Sequence, residues 1–448
     1  MERYSEKVLS NGLTCKYSLN HHLTCFTIGI YIRAGLLQEN DKCFGISHLL
    51  EHLFFRRLAD LSQRELYFLM ESMGTELRGK TFANGICFSL TVLPEYFDGA
   101  MQIIKRLFED TTWSMEEIRR EKKVVINQIE YQYYESFYKY ADRVYFYETN
   151  YAQKIMATKS FVKNVSRKTL LEYKEKWISP GNSCMVVTGN FPVENPEKAE
   201  DILSTYKKGD SPDGVSVRYP RSFCERTEDD ILIDNVEYEP SEILLSFDIP
   251  NGVEVFCAEL INCFLGEGVG SRLSIALREE LGLTNEILST VENYYGFSRL
   301  TIKFMVDNPF VFKALEEAFK IISAVKYHIS AEEYSISQLF CAKNRKMQLD
   351  DPYGLNFTFG YYGFLERRDF KSIEDLMQKY ERISRDDLMD GAKLIFVPEN
   401  LFVAVSSDKK VMSNKKILSK LIELRKSLSN DNSPQPYVET KITNVGLE

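Results

Sequence analysis

The sequence predicts an α+β chain made of two homologous α/β domains, each a mixed sheet with helices packed on one face. Two observations carry this. Strand-like and helix-like stretches alternate through the chain, as layered α/β units require. The second half also repeats the punctuation of the first. Ser114-Met115-Glu116-Glu117, a capping box before a long helical stretch, recurs as Ser330-Ala331-Glu332-Glu333. Pro180-Gly181-Asn182, before an apolar strand, recurs as Pro398-Glu399-Asn400 before Leu401-Phe402-Val403-Ala404-Val405. The offsets are 216 and 218 residues, and such constancy favours duplication over chance recurrence of common cap and turn residues. The expected domains are residues 1–195 and 233–428, joined by a linker at 196–232 and followed by a polar tail at 429–448.

The elements follow in order. Residues 5–33 alternate apolar and polar around Asn11-Gly12, a turn signal, and 24–32 read as a strong strand. His21 and His22 fall at the expected hairpin tip, where a solvated turn and a metal contact are both open. A helix around residues 46–55 comes next, then a helix at 62–73 ended by Gly74, and strands within 75–93. Pro94 opens a helix at 95–110, and the Ser114 capping box opens one expected to run to about 147. Residues 168–177 are helical, and 183–189 form an apolar strand after the Ser179-Pro180-Gly181-Asn182 turn. Residues 190–232, rich in Pro, Asp, Gly and Lys, read as a helix and the linker. Residues 411–428 place lysines and arginines around Ile417, Leu418, Leu421, Ile422 and Leu424. That pattern fits a solvated terminal helix or a membrane-surface helix.

Composition narrows the function. At 448 residues and 44% hydrophobic, the chain can bury large cores. A net charge of −9 gives no global basic field for nucleic acid. Nine cysteines are scattered without a C-x-x-C pair, which reads as reduced thiols and not a disulfide framework or a cysteine zinc site. The first residues show no apolar signal core, and no apolar run reaches 18 residues. A cytoplasmic location is the default expectation.

Chemistry concentrates in Gly45-Ile46-Ser47-His48-Leu49-Leu50-Glu51-His52-Leu53-Phe54-Phe55, which contains His-x-x-Glu-His. On a helix, His48 and His52 are i,i+4 neighbours and can close on one ion. Imidazole suits zinc, and zinc lowers the pKa of bound water to about 7. A carboxylate such as Glu51 beside that water can take its proton and pass it to a leaving amine. This order is the inverzincin signature. The competing reading is a buried helix whose polar residues cap or pair locally. The second half has no histidine pair, so only the first can build such a site.

Along almost its whole length the chain resembles the pitrilysin/insulinase/mitochondrial-processing-peptidase family of zinc metallopeptidases. The resemblance rests on Asn11-Gly12-Leu13, Ala34-Gly35, the Gly45–His52 segment, Glu121-Lys122-Lys123-Val124-Val125-Ile126-Asn127-Gln128-Ile129 and Ser179 through Gly189. In the second half it rests on Gly270-Ser271-Arg272-Leu273 and Arg278-Glu279-Glu280-Leu281-Gly282-Leu283. The resemblance implies that His48 and His52 hold zinc, that Glu51 is the general base and that Glu121 is an acid close to the metal. It places Gln128 at the third ligand position. It puts Arg78, Gly79 and Thr81 on the edge strand that pairs with substrate, and gives Arg278 a part in binding substrate backbone. Family members form clamshell chambers of four such domains, so a two-domain chain implies half a chamber and a homologous partner. A heterodimer is the favoured expectation, with a homodimer also open, and the substrates are peptides or unstructured segments.

The chain departs from the family pattern at three places. Gln128 stands where the family has a Glu ligand, removing one negative charge from the site. Arg78-Gly79 stands for Asn-Ala, with Thr81 kept. Asn285 stands for the Tyr that partners the second-half Arg, with Tyr294 and Tyr295 as possible substitutes. These departures favour a subunit without full activity, but the retained His48, Glu51 and His52 make a zinc endopeptidase subunit the leading reading, because a scaffold has no need of all three. A catalytically weak or inactive peptide-binding subunit and a purely structural subunit are its competitors.

Overall fold

Phe26–Ile32 is apolar on both alternating faces, and a strand of that kind needs cover on both sides. The computed structural model supplies it. It describes the chain except residues 1–2, 41–42, 132–135, 148, 153–156, 210–229, 236–239, 409, 411 and 430–448. Most of the expected linker and nearly all of the expected polar tail thus lie outside the described residues.

The chain forms two compact units. Unit 1 comprises Met1–Glu135, Phe146–Tyr219 and Asn344–Leu376, and unit 2 comprises Ser136–Tyr145, Pro220–Lys343 and Met377–Glu448. Each unit therefore takes a segment from the opposite half of the sequence.

Unit 1 contains β1 (Arg3–Val8), β2 (Thr14–Leu19), β3 (Phe26–Ile32), a two-residue ribbon of β4 (Arg57–Leu58) and β5 (Leu61–Ser62), β6 (Arg78–Thr81), β7 (Ile86–Val92) and β8 (Ser183–Gly189). Its six-stranded sheet has the order β1-β2-β8-β3-β7-β6. β2 runs parallel to β8, and the other neighbours are antiparallel. The Asn11-Gly12 turn joins β1 to β2, with Gly12 at φ 83°. The expected hairpin at His21-His22 does not form, because β8 lies between β2 and β3. Alternation reads which face a residue takes, but not which strand pairs with which.

The helices of unit 1 include α1 (Ile46–Arg56), α2 (Gln63–Ser72), α3 (Phe97–Lys105) and α4 (Met115–Tyr131). Ile28, Ile30 and Phe88 pack with Leu50, Leu53, Phe54 and Trp113 in the core on the α1 side of the sheet. On the other face, Tyr31 donates to Asn356 Oδ1 at 3.0 Å, and Asn356 Nδ2 donates to Thr27 O and Val186 O. This second cover is the late segment Pro352–Phe357 and Thr358–Leu365.

Unit 2 contains α5 (Phe137–Tyr145), β9 (Ile231–Asn235), β10 (Ser241–Ile249), β11 (Ile287–Tyr294), β12 (Phe297–Val306) and β13 (Leu401–Ser407). Its sheet runs β11-β12-β10-β13-β9, with β13 and β9 parallel and the other neighbours antiparallel. That is the order and sense of β6-β7-β3-β8-β2. Both predicted capping boxes form: Ser114 N donates to Glu117 Oε2 at 2.7 Å, and Ser330 N to Glu333 Oε2 at 2.8 Å. The helix expected to run to about 147 is not one element. α4 ends at Tyr131, and α5 belongs to unit 2. The basic terminal helix is Asn414–Ser427, and it buries Ile417, Leu421 and Leu424 in the protein's own core. Among the described residues, no helix is long and apolar enough to cross a membrane.

Candidate metal centre

The helix that carries the motif is held at both ends. It starts at Gly45, whose φ of 89° favours glycine and whose added Cβ would lie 2.0 Å from Ala157 Cβ. The Glu39 carboxylate, 6% exposed, accepts from Gly45 N at 2.6 Å and Ser47 N at 2.9 Å. It thereby satisfies backbone donors that a helix start leaves open. Ser47 Oγ and the Tyr173 hydroxyl share a 2.8 Å hydrogen bond. At the far end, the fully buried Trp113 donates Nε1 to Leu53 O at 2.8 Å and Arg57 O at 3.2 Å. None of Glu39, Tyr173 and Trp113 was singled out from the sequence.

On this clamped helix the two imidazoles come together. The His48 and His52 rings are 4.6 Å apart at 68°. His52 Nδ1 lies 2.8 Å from Glu121 Oε1, which leaves the opposite ring nitrogen for another partner. Arg56 Nε donates to the other Glu121 oxygen. Burial would raise the Glu121 carboxyl, but His52 and Arg56 outweigh it and hold it below the usual range. Burial, with some help from His52, pushes the His48 imidazole down to about 4, although Glu121 opposes the shift. His48 is thus a neutral, lone-pair-bearing ring near pH 7.

Glu51 lies on the same helix beside the edge strand β6. Thr81 Oγ1 donates to Glu51 Oε2. A Cβ added at Gly79 would lie 2.8 Å from Glu51 Oε1 and 2.7 Å from the Phe55 ring, so glycine keeps open the space in front of the carboxylate. Burial pushes the Glu51 carboxyl up, against the Thr81 hydrogen bond and His52. Arg78 is exposed on β6, with Nε 3.2 Å from Glu76 Oε1.

The motif implies a metal, and the residues present can be tested against it. His48 Nδ1 and Gln128 Oε1 are both buried without a hydrogen-bond partner. An unmade buried hydrogen bond costs about 1–3 kcal/mol, and a cation is one partner that would satisfy such acceptors. Gln128 lies two turns after Glu121 on α4 and on the same helical stripe. Two imidazoles are donors that zinc accepts, and the Gln128 amide oxygen is a neutral donor where zinc sites ordinarily use a carboxylate. Among the described residues no three His, Cys, Asp or Glu side chains form a metal-holding group.

The remaining predicted site residue lies in unit 2. Arg278 is exposed in Ser274–Glu280, with Nε 3.5 Å from Glu279 Oε1. Asn285 is exposed as well. Tyr294 is committed elsewhere: its hydroxyl donates to Glu292 Oε2 at 2.6 Å and its ring stacks on Phe297 at 4.7 Å.

Known proteins are similar to this chain. Residues 18–159 match the family model described as insulinase (peptidase family M16), and residues 164–338 match that of the peptidase M16 inactive domain. An uncharacterized zinc protease of Rickettsia felis is 23% identical over 417 residues, covering 88% of this chain and 95% of the relative. Rat (Rattus norvegicus) mitochondrial-processing peptidase subunit beta is 28% identical over 168 residues, covering 37% of this chain and 34% of that one. The first half of the periplasmic protease PqqL from Escherichia coli superposes with a TM-score of 0.79 at 17% identity, covering 97% of this chain and 98% of that structure.

Proposed function

This chain belongs to the M16 (insulinase) peptidase family, and from that premise we propose that it is a zinc-dependent endopeptidase subunit acting on peptides or unstructured segments. One observation carries the reading: β6, the outermost strand of its sheet among the described residues, passes directly in front of a buried carboxylate that shares its helix with two adjacent imidazoles. A purely structural subunit has no use for that juxtaposition.

In this reading His48, His52 and Gln128 hold the ion, and Glu121 orients His52 through Nδ1. When bound, zinc polarises the scissile carbonyl and acidifies a water. An extended peptide adds to the outer edge of β6, where backbone hydrogen bonds fix it in one register. Glu51 takes a proton from the attacking water at a carboxylate oxygen and delivers it to the leaving amine nitrogen. Thr81 fixes the rotamer of Glu51, and Gly79 leaves the space that the peptide needs. Arg278 would hold substrate backbone from the second unit.

The chain supplies one metal helix and one duplicated unit without it. We therefore assign it to half of a chamber completed by a homologous chain, with a heterodimer favoured because Asn285 removes the tyrosine expected beside Arg278. The scattered cysteines, without a C-x-x-C pair, support a reducing compartment such as the cytoplasm. Gln128 favours a second reading, a weak or inactive subunit that binds peptide for an active partner, because a neutral amide binds zinc less strongly than a carboxylate.

The test is elemental analysis of the purified protein together with cleavage of unstructured peptides, alone and with any co-purifying homologue. Zinc at about one per chain and cleavage lost in Glu51→Gln support the first reading. Metal-free protein that binds peptide without cleaving it establishes the second.

A further inference from the structure

The edge strand β6 carries two faces. Gly79 and Thr81 face Glu51, as their contacts with that side chain show. Arg78 and Lys80 alternate with them, so they lie on the opposite face, and both are exposed. Aromatic rings lie beneath them. Arg78 Cζ lies 5.0 Å from the Tyr353 ring, and Lys80 Nζ lies 5.0 Å from Phe82 and 5.9 Å from Phe357. The two rings near Lys80 are themselves packed, with Phe82 on Tyr361 at 4.5 Å and Phe357 stacked on Tyr361 at 4.8 Å. The stack limits where Lys80 can go, and the Tyr353 ring with Glu76 does the same for Arg78, so both cations stay along the strand.

A peptide added to this edge would alternate its side chains in the same way. Residues i and i+2 on the outer face would stand directly opposite Arg78 and Lys80, where an opposite charge stabilises a cross-strand pair and a like charge opposes it. We propose that Arg78 and Lys80 select acidic side chains at alternate positions of an extended peptide bound along β6. The inference rests on the reading above only in taking β6 as the peptide-binding edge. Lys80 is the stronger selector, because Arg78 is partly neutralised by Glu76. The selection is also local. An open groove of about 500 Å³ beyond Arg78 is lined by Glu71 and Glu76, which disfavour further acidic residues there.

The test is binding of labelled, otherwise neutral ten-residue peptides to the Glu51→Gln protein by fluorescence anisotropy. The peptides carry two Glu at i and i+2, two Glu at i and i+1, or two Lys at i and i+2. The first should bind tightest, by up to roughly five-fold per acidic residue at low salt, and the gain should shrink in high salt. The adjacent pair should lose about half of the gain, because one carboxylate then faces the Glu51 side. Lys80→Gln should reduce the preference, and Arg78→Glu with Lys80→Glu should invert it. Protection of the β6 backbone amides from hydrogen exchange should accompany binding. Equal affinity for acidic and basic peptides, or a preference unchanged in the charge-reversed protein, overturns the inference. So does an absence of peptide binding. Cleavage by the wild-type chain is read separately, so a failure of catalysis leaves this comparison intact.

Discussion

The Glu39 carboxylate sets two opposing effects against each other at the start of the motif helix. It accepts hydrogen bonds from Gly45 N and Ser47 N, which favour its charged form. Burial opposes this and wins, pushing the carboxyl up from 4.5 to about 7. A folded value above the unfolded one means that the native state holds a proton the unfolded chain has released. The stabilisation is therefore fully present below about pH 4.5 and is lost as pH rises through about 7. At 1.36 kcal/mol per pKa unit, the loss across that window is about 3 kcal/mol. Glu39→Gln cannot titrate. The stability advantage of wild type over Glu39→Gln should thus shrink by about 3 kcal/mol between pH 4.5 and 8. Urea unfolding followed by tryptophan fluorescence is the assay. The chain has only two tryptophans, Trp113 and Trp177, and both belong to unit 1, so the signal reports the unit that contains the helix. A difference that is flat with pH, or that grows as pH rises, would show that the backbone hydrogen bonds hold the charge and that burial does not dominate.

Other outcomes follow from the same geometry. Gln128→Glu should strengthen zinc binding at least ten-fold in a chelator competition and raise any cleavage, because it adds a carboxylate where an amide oxygen is buried without a partner; unchanged affinity would remove Gln128 from the ligand set. Glu51→Gln should retain the metal and lower kcat by a factor on the order of a hundred or more, a loss visible in peptide cleavage at constant zinc content. In unit 2, Arg299 is 1% exposed and donates to Glu292 and Asp142, so Arg299→Met should cost about 3–5 kcal/mol by leaving Glu292 buried beside too little positive charge, measured by circular dichroism during unfolding. Burial would raise Glu292, but Arg299, Lys303 and Tyr294 outweigh it and hold the carboxyl down at about 2, so its contribution is present above about pH 4.5 and should vanish as pH falls towards 2.

The motif was legible because its geometry is local. An i,i+4 pair of histidines needs only that the segment be helical, and the apolar residues around it require that. The capping boxes at Ser114 and Ser330 were legible for the same reason. The supports of the motif helix were not. Glu39 precedes the helix by a loop, and no local pattern in the sequence marks its carboxylate for burial. Trp113 reaches Leu53 O across 60 positions, a contact without local signature. Pairing of β8 between β2 and β3 and the exchange of 136–145 and 344–376 between units are choices among apolar partners, and hydrophobic pattern alone does not rank them.

The duplicated sheets also bear on why β6 is charged. An unpaired edge is a template for any strand, including a second copy of itself. Among the described residues both sheets end in such an edge, β6 in unit 1 and β11 in unit 2. Around Glu51 the edge has to stay open if a peptide is to reach the carboxylate, so it cannot be covered by a helix or plugged by proline. Charge is the remaining device, and Arg78 and Lys80 supply it on the face away from Glu51. Two β6 edges brought together in antiparallel register would set like charges against each other. An acidic peptide meets the opposite situation. The same two residues thus disfavour self-pairing and favour a particular guest, while Gly79 and Thr81 serve the chemistry on the other face. A four-residue strand can carry both functions because side chains on a pleated strand alternate between its faces.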